Sequence, residues 1–156
     1  MHQSSVLCTH AQDWIHVLKA KALRVTAQRV AVLDFVHHHP HSDAEAIFQG
    51  IRPALPTVST QAVHLIVQCL SGKGLIRRVS LPDSASARYE TRIDDNHHHV
   101  QCIKCGRIED VDCVVGEMPC LSPSDTHGMR IVEASVVFRG ICCDCDTGAS
   151  ERSETP

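Results

Sequence analysis

Aromatic side chains are scarce in this chain: of its 156 residues, one is Trp, one is Tyr and three are Phe. No stretch comes near the ~20 apolar residues that a membrane-spanning helix needs. The N-terminus lacks a basic region followed by an apolar run, which argues against a secretory signal peptide. These two absences predict a cytoplasmic protein. The length of 156 residues predicts one or two small domains, and the 43% of hydrophobic residues is enough to bury a core.

A strong excess of one charge is also missing, because the net charge is only −3. The two halves differ, however. Residues 1–90 hold nine Lys or Arg against six Asp or Glu, whereas residues 91–156 hold six against twelve. The basic first half is therefore the better candidate for meeting phosphate groups.

Cysteine and histidine are abundant, with nine Cys and twelve His. Four of the Cys form two CxxC pairs, four His lie within residues 37–41, and three more occupy 97–99. Without a signal peptide, paired CxxC motifs indicate metal ligands before disulfides.

The first half has the pattern of helices followed by a hairpin. Apolar residues recur at helical spacing in four segments: 10–23, 26–39, 42–51 and 59–71. Thr26 and Ser59 are good N-caps, and Ser42 to Glu45 fits a capping box. Two short β-prone runs follow, 75–81 and 86–91. This order predicts a winged helix-turn-helix domain over 1–91 with residues 59–71 as recognition helix; the alternative is a helical bundle with an ordinary hairpin.

The composition changes after residues 92–96, which we interpret as a hinge. Strands are predicted over 98–103, 107–112 and 130–138, and Pro119 and Pro123 leave room for only a short or irregular helix between them. The fold class is thus α+β, with a small α/β metal-binding domain over 97–146 and a disordered polar tail over 147–156.

The most specific motif is the double pair Cys102-x-x-Cys105 and Cys142-x-x-Cys145. Two such turns supply the four thiolates of a structural zinc site. The alternative is redox chemistry at one CxxC, but that motif expects a strand-to-helix context that neither pair has. Cys143 is a spare thiol, and Cys113 and Cys120 could form a disulfide or be ordinary buried residues.

A second group combines imidazole and carboxylate. Alternation along a strand puts His97 and His99 on one face; Asp110 lies on the next strand, Glu90 closes the wing, and His39 ends the second helix. Nitrogen and oxygen donors without thiolate suit Fe(II) or Mn(II). Taken singly, each residue could equally be a solvated surface group.

From about residue 10 to 146, the chain resembles the ferric uptake regulator family. The stretches that carry the resemblance are Leu23-Arg24-Val25-Thr26-x-x-Arg29, His39-Pro40-His41-Ser42-Asp43, Val58-Ser59, Gly74-Leu75-Ile76, Arg88-Tyr89-Glu90, His97-His98-His99 and the CxxC pairs. The run from Asp110 to Leu121 is similar to the actinobacterial FurA/CatR branch, which is linked to catalase-peroxidase genes.

The resemblance implies a homodimer whose C-terminal halves associate and whose N-terminal halves bind a palindromic operator. It implies structural zinc at the four paired cysteines and a regulatory metal at a set of five residues: His39, Glu90, His97, His99 and Asp110. Asp110 is typical of peroxide-sensing members, in which peroxide oxidises a ligating His through bound Fe(II). His39 and His97 match those targets. A metal-dependent, peroxide-responsive repressor is therefore expected, with an iron- or zinc-uptake regulator as alternative.

Contacts to DNA are predicted from the basic and outward-facing residues of the first half. Candidates for phosphate are Arg24, Arg29, Arg77 and Arg78, each of which could also be a solvated charge. The candidates on the recognition helix are Ser59, Thr60, Gln61 and His64. His64 stands where the family usually has Tyr.

In the expected mechanism, metal binding is thermodynamically coupled to DNA binding. An ion held by both domains favours the closed arrangement that sets the recognition helices ~34 Å apart. The rivals from other classes are a small metalloenzyme and a metal-storage protein. Five protein ligands would leave a substrate little room, and storage would not need a winged helix.

Overall fold

The chain divides into two units, Met1–Ile93 and Asp94–Pro156. The computed structural model describes residues 6–93, 97–112, 123–131 and 134–146, with side chains from residue 13 onward. The boundary between the units falls inside the segment 92–96, whose role as a hinge stays a prediction. No helix in the described ranges is long and apolar enough to cross a membrane.

The first unit consists of helices and one hairpin. Its elements are α1 (Val6–Ala20), α2 (Ala27–His38), α3 (Ala44–Ile51), α4 (Thr60–Gly72), β1 (Arg77–Val79) and β2 (Arg88–Glu90). The two strands are antiparallel, with Arg77 opposite Glu90. Leu33, Ile47 and Leu70, from three different helices, have no exposed surface, so the core lies between α2, α3 and α4. The predicted order of a winged helix-turn-helix is confirmed.

Two helices begin where the sequence predicts. The Thr26 hydroxyl accepts from the Arg29 backbone N–H at 3.2 Å, and the Ser59 hydroxyl accepts from the Ala62 N–H at 3.1 Å. Each hydroxyl satisfies a backbone N–H that has no partner within its own helix.

The third helix begins one residue later than the capping-box prediction had it. Asp43 is the N-cap, and its carboxylate accepts from the Ala46 N–H at 2.8 Å. Ser42 instead donates its hydroxyl to the His39 carbonyl at 2.7 Å. The prediction of Ser42 as cap was wrong because the backbone of residue 42 is held in another pairing.

That pairing joins the turn before α3 to the wing. Ser42 and Tyr89 form an isolated antiparallel bridge. The His41 N–H donates to the Tyr89 carbonyl, and the Tyr89 N–H donates to the Ser42 carbonyl, both at 2.9 Å. His41 adopts a φ of +61° to make this turn. As a result, His41 lies next to the end of β2.

The described residues of the second unit form a three-stranded sheet, ordered β4 (Ile108–Asp112), β3 (His97–Cys102), β5 (Val137–Gly140). β3 and β4 are antiparallel, with His99 opposite Asp110. β3 and β5 are parallel, with Cys102 opposite Gly140. The prediction of a strand over 130–138 was wrong in its bounds, because this register pairs only Val137–Gly140 with β3. The predicted irregular helix, Cys113, Cys120 and the tail 147–156 lie outside the described residues.

Gly50 is required by the contact between α3 and α2. A Cβ at this position would overlap the ring of Phe35. We expect Gly50→Ala to lower the free energy of unfolding by about 1–3 kcal/mol, because a close-packed contact must open. Urea denaturation measures the change. Gly72→Ala is the matched control: its Cβ would meet nothing within 4 Å, so stability should stay equal or rise. Equal losses in both variants would contradict this packing.

Candidate metal centres

Each CxxC pair closes a tight backbone turn. The Gly106 N–H donates to the Cys102 carbonyl, and the Asp146 N–H donates to the Cys142 carbonyl, both at 2.9 Å. Gly106 has a φ of +74°, which a residue with a Cβ adopts only under strain. Because Cys102 ends β3 and the second pair follows β5, the parallel pairing of these strands brings the two turns together.

The four sulfur atoms of the pairs form one group. The Sγ atoms of Cys102, Cys105, Cys142 and Cys145 all lie within 4.8 Å of one another. The Sγ atoms of Cys105 and Cys142 are 3.7 Å apart. Four bonds of ~2.3 Å to a tetrahedral zinc ion require sulfur–sulfur separations of about 3.8 Å. The residues therefore fit the ion that the motif predicts.

The thiols of this group differ in acidity. Hydrogen bonds from the backbone N–H groups of Cys105 and Cys142 lower the pKa of Cys102 to about 6. Sulfur hydrogen bonds, first with Cys142 and then with Cys105, raise the pKa of Cys145 to about 12. One thiolate is thus ready at neutral pH, and metal binding must displace a proton from Cys145.

Lys104 and Arg107, from the first CxxC turn and the residue after it, contact the second CxxC turn. Lys104 Nζ donates to the Cys145 carbonyl at 3.0 Å, and Arg107 Nη1 lies 3.4 Å from the Asp144 carboxylate. The spare thiol, Cys143, is exposed, and its Sγ faces Asp144 Oδ1 at 3.8 Å. Cys143 does not join the four-sulfur group.

The second unit holds three of the predicted regulatory residues side by side. Asp110 Oδ1 lies 3.6 Å from His99 Nε2 and 3.9 Å from His97 Nε2. The two imidazole rings are 5.0 Å apart between centroids, as expected for alternate residues on one strand. His98 points to the other face, where its ring lies 6.2 Å from that of Phe138.

The first unit holds a buried carboxylate. The Glu90 side chain is 1% exposed, and its Oε2 lies 3.1 Å from His41 Nε2. Its other oxygen, Oε1, lies 3.5 Å from Arg77 Nη1. His41 and Glu90 thus offer an imidazole nitrogen and a carboxylate oxygen at one place.

His39 lies elsewhere in this unit. It is exposed at the end of α2, and its ring lies against Phe35, with centroids 4.5 Å apart. The residue that the structure places against Glu90 is His41. Both His residues flank Pro40, so spacing alone did not distinguish them. His41 is placed next to Glu90 by its backbone hydrogen bond to Tyr89, the residue that precedes Glu90.

The outer face of α4 carries most of the DNA-binding candidates predicted for the recognition helix. Gln61, His64 and Gln68 are exposed, and Thr60 at the helix start is half-buried. Leu65 lies among them with 60% of its surface exposed. This face is polar apart from Leu65, and Ser59 serves as the N-cap beside it.

The four predicted phosphate contacts divide into two kinds. Arg24 and Arg78 are exposed. Arg29 donates to the Arg24 carbonyl at 2.7 Å and approaches Cys69 Sγ on α4 at 3.8 Å. Arg77 faces Glu90. The guanidinium groups of Arg29 and Arg77 are therefore engaged within the unit.

A model of the ferric uptake regulator family matches residues 20–139. The chain belongs to the ferric uptake regulator family. Its members are dimeric DNA-binding transcriptional regulators rather than enzymes, so this chain is a transcriptional regulator. The predicted family is confirmed.

Individual members of the ferric uptake regulator family resemble the chain over most of its length. The transcriptional regulator FurA of Mycobacterium tuberculosis is 49% identical over 141 residues, which are 90% of this chain and 95% of FurA. The peroxide-responsive repressor PerR of Staphylococcus saprophyticus is 28% identical over 140 residues, covering 86% and 90%. The Helicobacter pylori regulator Fur has the same fold at 19% identity, with a TM-score of 0.65 over 96% of this chain and 100% of that one.

Removal of one paired cysteine should abolish zinc binding, whereas removal of the spare one should not. We expect Cys142→Ser to purify without stoichiometric zinc and to unfold its second unit at a lower temperature, because the four ligands close this small unit. Zinc released by acid, measured with a chromogenic chelator, gives the content. Cys143→Ser is the matched control and should retain one zinc per chain. Full zinc in Cys142→Ser would refute the four-sulfur site.

Proposed function

We propose that this regulator is a cytoplasmic, homodimeric repressor that binds a palindromic operator when Fe(II) or Mn(II) occupies a regulatory site. Zn(II) in the four-sulfur group is its structural metal. Peroxide releases the protein from DNA, and the genes it controls include catalase-peroxidase.

The donor set carries this proposal. His41 and Glu90 on the first unit, with His97, His99 and Asp110 on the second, offer only imidazole nitrogen and carboxylate oxygen. Such donors suit Fe(II) and Mn(II), whereas a zinc-selective site more often recruits thiolate. His41 replaces His39 in the set because its Nε2 lies 3.1 Å from Glu90 Oε2.

Metal binding would be thermodynamically coupled to DNA binding. Since the donors belong to two units, an ion bound by all five would favour the arrangement that brings these donors together. That arrangement would set the spacing of the two α4 helices in the dimer, with Gln61 and His64 towards the bases and Arg24 and Arg78 towards phosphate.

A surface for the second copy is available on the second unit. Ile103, Phe138 and Ile141 are 54%, 51% and 45% exposed, respectively. Large apolar side chains exposed on a small unit are typical of an interface. We assign them to contacts between copies of this chain.

The proposed stimulus rests on Asp110 and on similarity to a peroxide-responsive repressor. When bound, Fe(II) would supply the electron that splits peroxide into hydroxide and a hydroxyl radical. On the family's pattern, with His41 in place of His39, the imidazoles oxidised beside the metal would be those of His41 and His97. An oxidised imidazole is a poorer ligand, so the metal and the DNA are released.

The test compares three metals. The zinc-replete dimer first selects its operator from a random duplex library in Mn(II). Operator affinity is then measured with Fe(II), Mn(II) or added Zn(II), before and after peroxide. We expect binding with Fe(II) and Mn(II), and release by peroxide only with Fe(II), because Mn(II) does not reduce peroxide in this way. Peroxide-insensitive binding with Fe(II) would indicate an iron-uptake regulator. Binding with added Zn(II) alone would indicate a zinc regulator.

The choice between His41 and His39 has its own prediction. His41→Ala should weaken Mn(II) affinity by at least ~10-fold, because loss of even a partner that orients a metal ligand costs about 10–100-fold. His39→Ala, an exposed neighbour, should change it little. Titration calorimetry on zinc-replete protein measures both. The reverse order would return His39 to the site.

A further inference from the structure

Arg77 lies directly across the wing from Glu90. The two residues are register partners in the β1–β2 hairpin. Arg77 Nη1 is 3.5 Å from Glu90 Oε1, and Arg77 Nη2 donates to the Ile93 carbonyl at 3.3 Å. The guanidinium fork thus spans a buried carboxylate and the last residue of the first unit.

The positive charge of Arg77 offsets the unfavourable burial of the Glu90 carboxylate. Glu90 is 1% exposed, and a carboxylate removed from water is unfavourable unless it is paired and hydrogen-bonded. His41 on Oε2 supplies positive charge only when protonated. Arg77 on Oε1 supplies it at every physiological pH.

The two oxygens of the Glu90 carboxylate face different partners. Oε1 faces Arg77 and Oε2 faces His41. A guanidinium bonded to one oxygen and to a backbone carbonyl fixes the rotation of the carboxylate. Oε2 is thereby directed to the side where the imidazole nitrogen lies.

We propose that Arg77 is a positioning residue of the regulatory metal site rather than a contact to DNA phosphate. It holds Glu90 Oε1, so that Oε2 and His41 Nε2 are presented together as ligands. Through Ile93 it also connects this ligand to the backbone at the end of the first unit. This inference rests on the proposed function of Glu90 as a regulatory ligand.

The test uses the full-length, zinc-replete dimer with Mn(II) as the probe. Arg77→Gln should weaken Mn(II) affinity about 10–100-fold, the range typical of residues that orient metal ligands. Arg77→Lys should recover part of the loss, because Lys keeps the charge but cannot bond Glu90 and Ile93 as a fork.

Arg78→Gln is the matched control. It removes the same charge from the same strand, but Arg78 is exposed and alternates to the other face. We expect its Mn(II) affinity to equal that of the wild type. If Arg78 meets phosphate, the operator affinity of this variant should depend less steeply on salt, by about one unit of logarithmic slope for each phosphate that Arg78 neutralises. Arg77→Gln saturated with Mn(II) should keep the wild-type slope.

Glu90→Gln separates failure of this inference from failure of the proposed function. If Glu90→Gln weakens Mn(II) binding and Arg77→Gln does not, the role of Arg77 is refuted and the site stands. A less stable metal-free Arg77→Gln protein with unchanged Mn(II) affinity would make Arg77 merely structural, which also overturns the inference. Unchanged Mn(II) affinity in Glu90→Gln would refute the site, and the role of Arg77 with it.

Discussion

A carboxylate buried on the wing, that of Glu90, is the constraint on which the proposed regulatory site depends. Glu90 is almost completely removed from water, and an unpaired buried charge would cost several kcal/mol. The turn before α3 brings His41 to one oxygen, and the strand opposite brings Arg77 to the other. The wing and the turn before α3 therefore hold the two donors, Glu90 and His41, that the proposed regulatory site takes from this unit.

The second unit depends on its sulfur group in a comparable way. Its described part is a three-stranded sheet with little buried apolar surface, so a metal that joins the ends of β3 and β5 would contribute much of its stability. Cys102 ends the same strand that His97 begins. The proposed zinc site would thus hold the strand that carries His97 and His99 of the proposed regulatory site, and removal of zinc should loosen both.

The features that depend only on neighbouring residues, such as helix caps, were predicted from the sequence. Thr26 and Ser59 cap their helices because a hydroxyl at that position meets the free N–H groups whatever the rest of the fold does. The CxxC pairs were likewise recognised from their spacing in the sequence. The position of His41 against Glu90 was not predicted, because it follows from the pairing of residue 42 with Tyr89. The contact of Arg77 with Glu90 follows from hairpin register, which charge and spacing do not encode.

Metal sensing by this regulator would require one ion bonded to Glu90, and diffraction at the manganese absorption edge locates that ion. In crystals of the zinc-replete, Mn(II)-saturated protein, the anomalous map should place manganese within bonding distance of Glu90 Oε2 and His41 Nε2. Arg77 should remain on Oε1. A manganese peak bonded to His39, or one away from Glu90 altogether, would show that Glu90 and His41 are not the pair of ligands that this unit supplies.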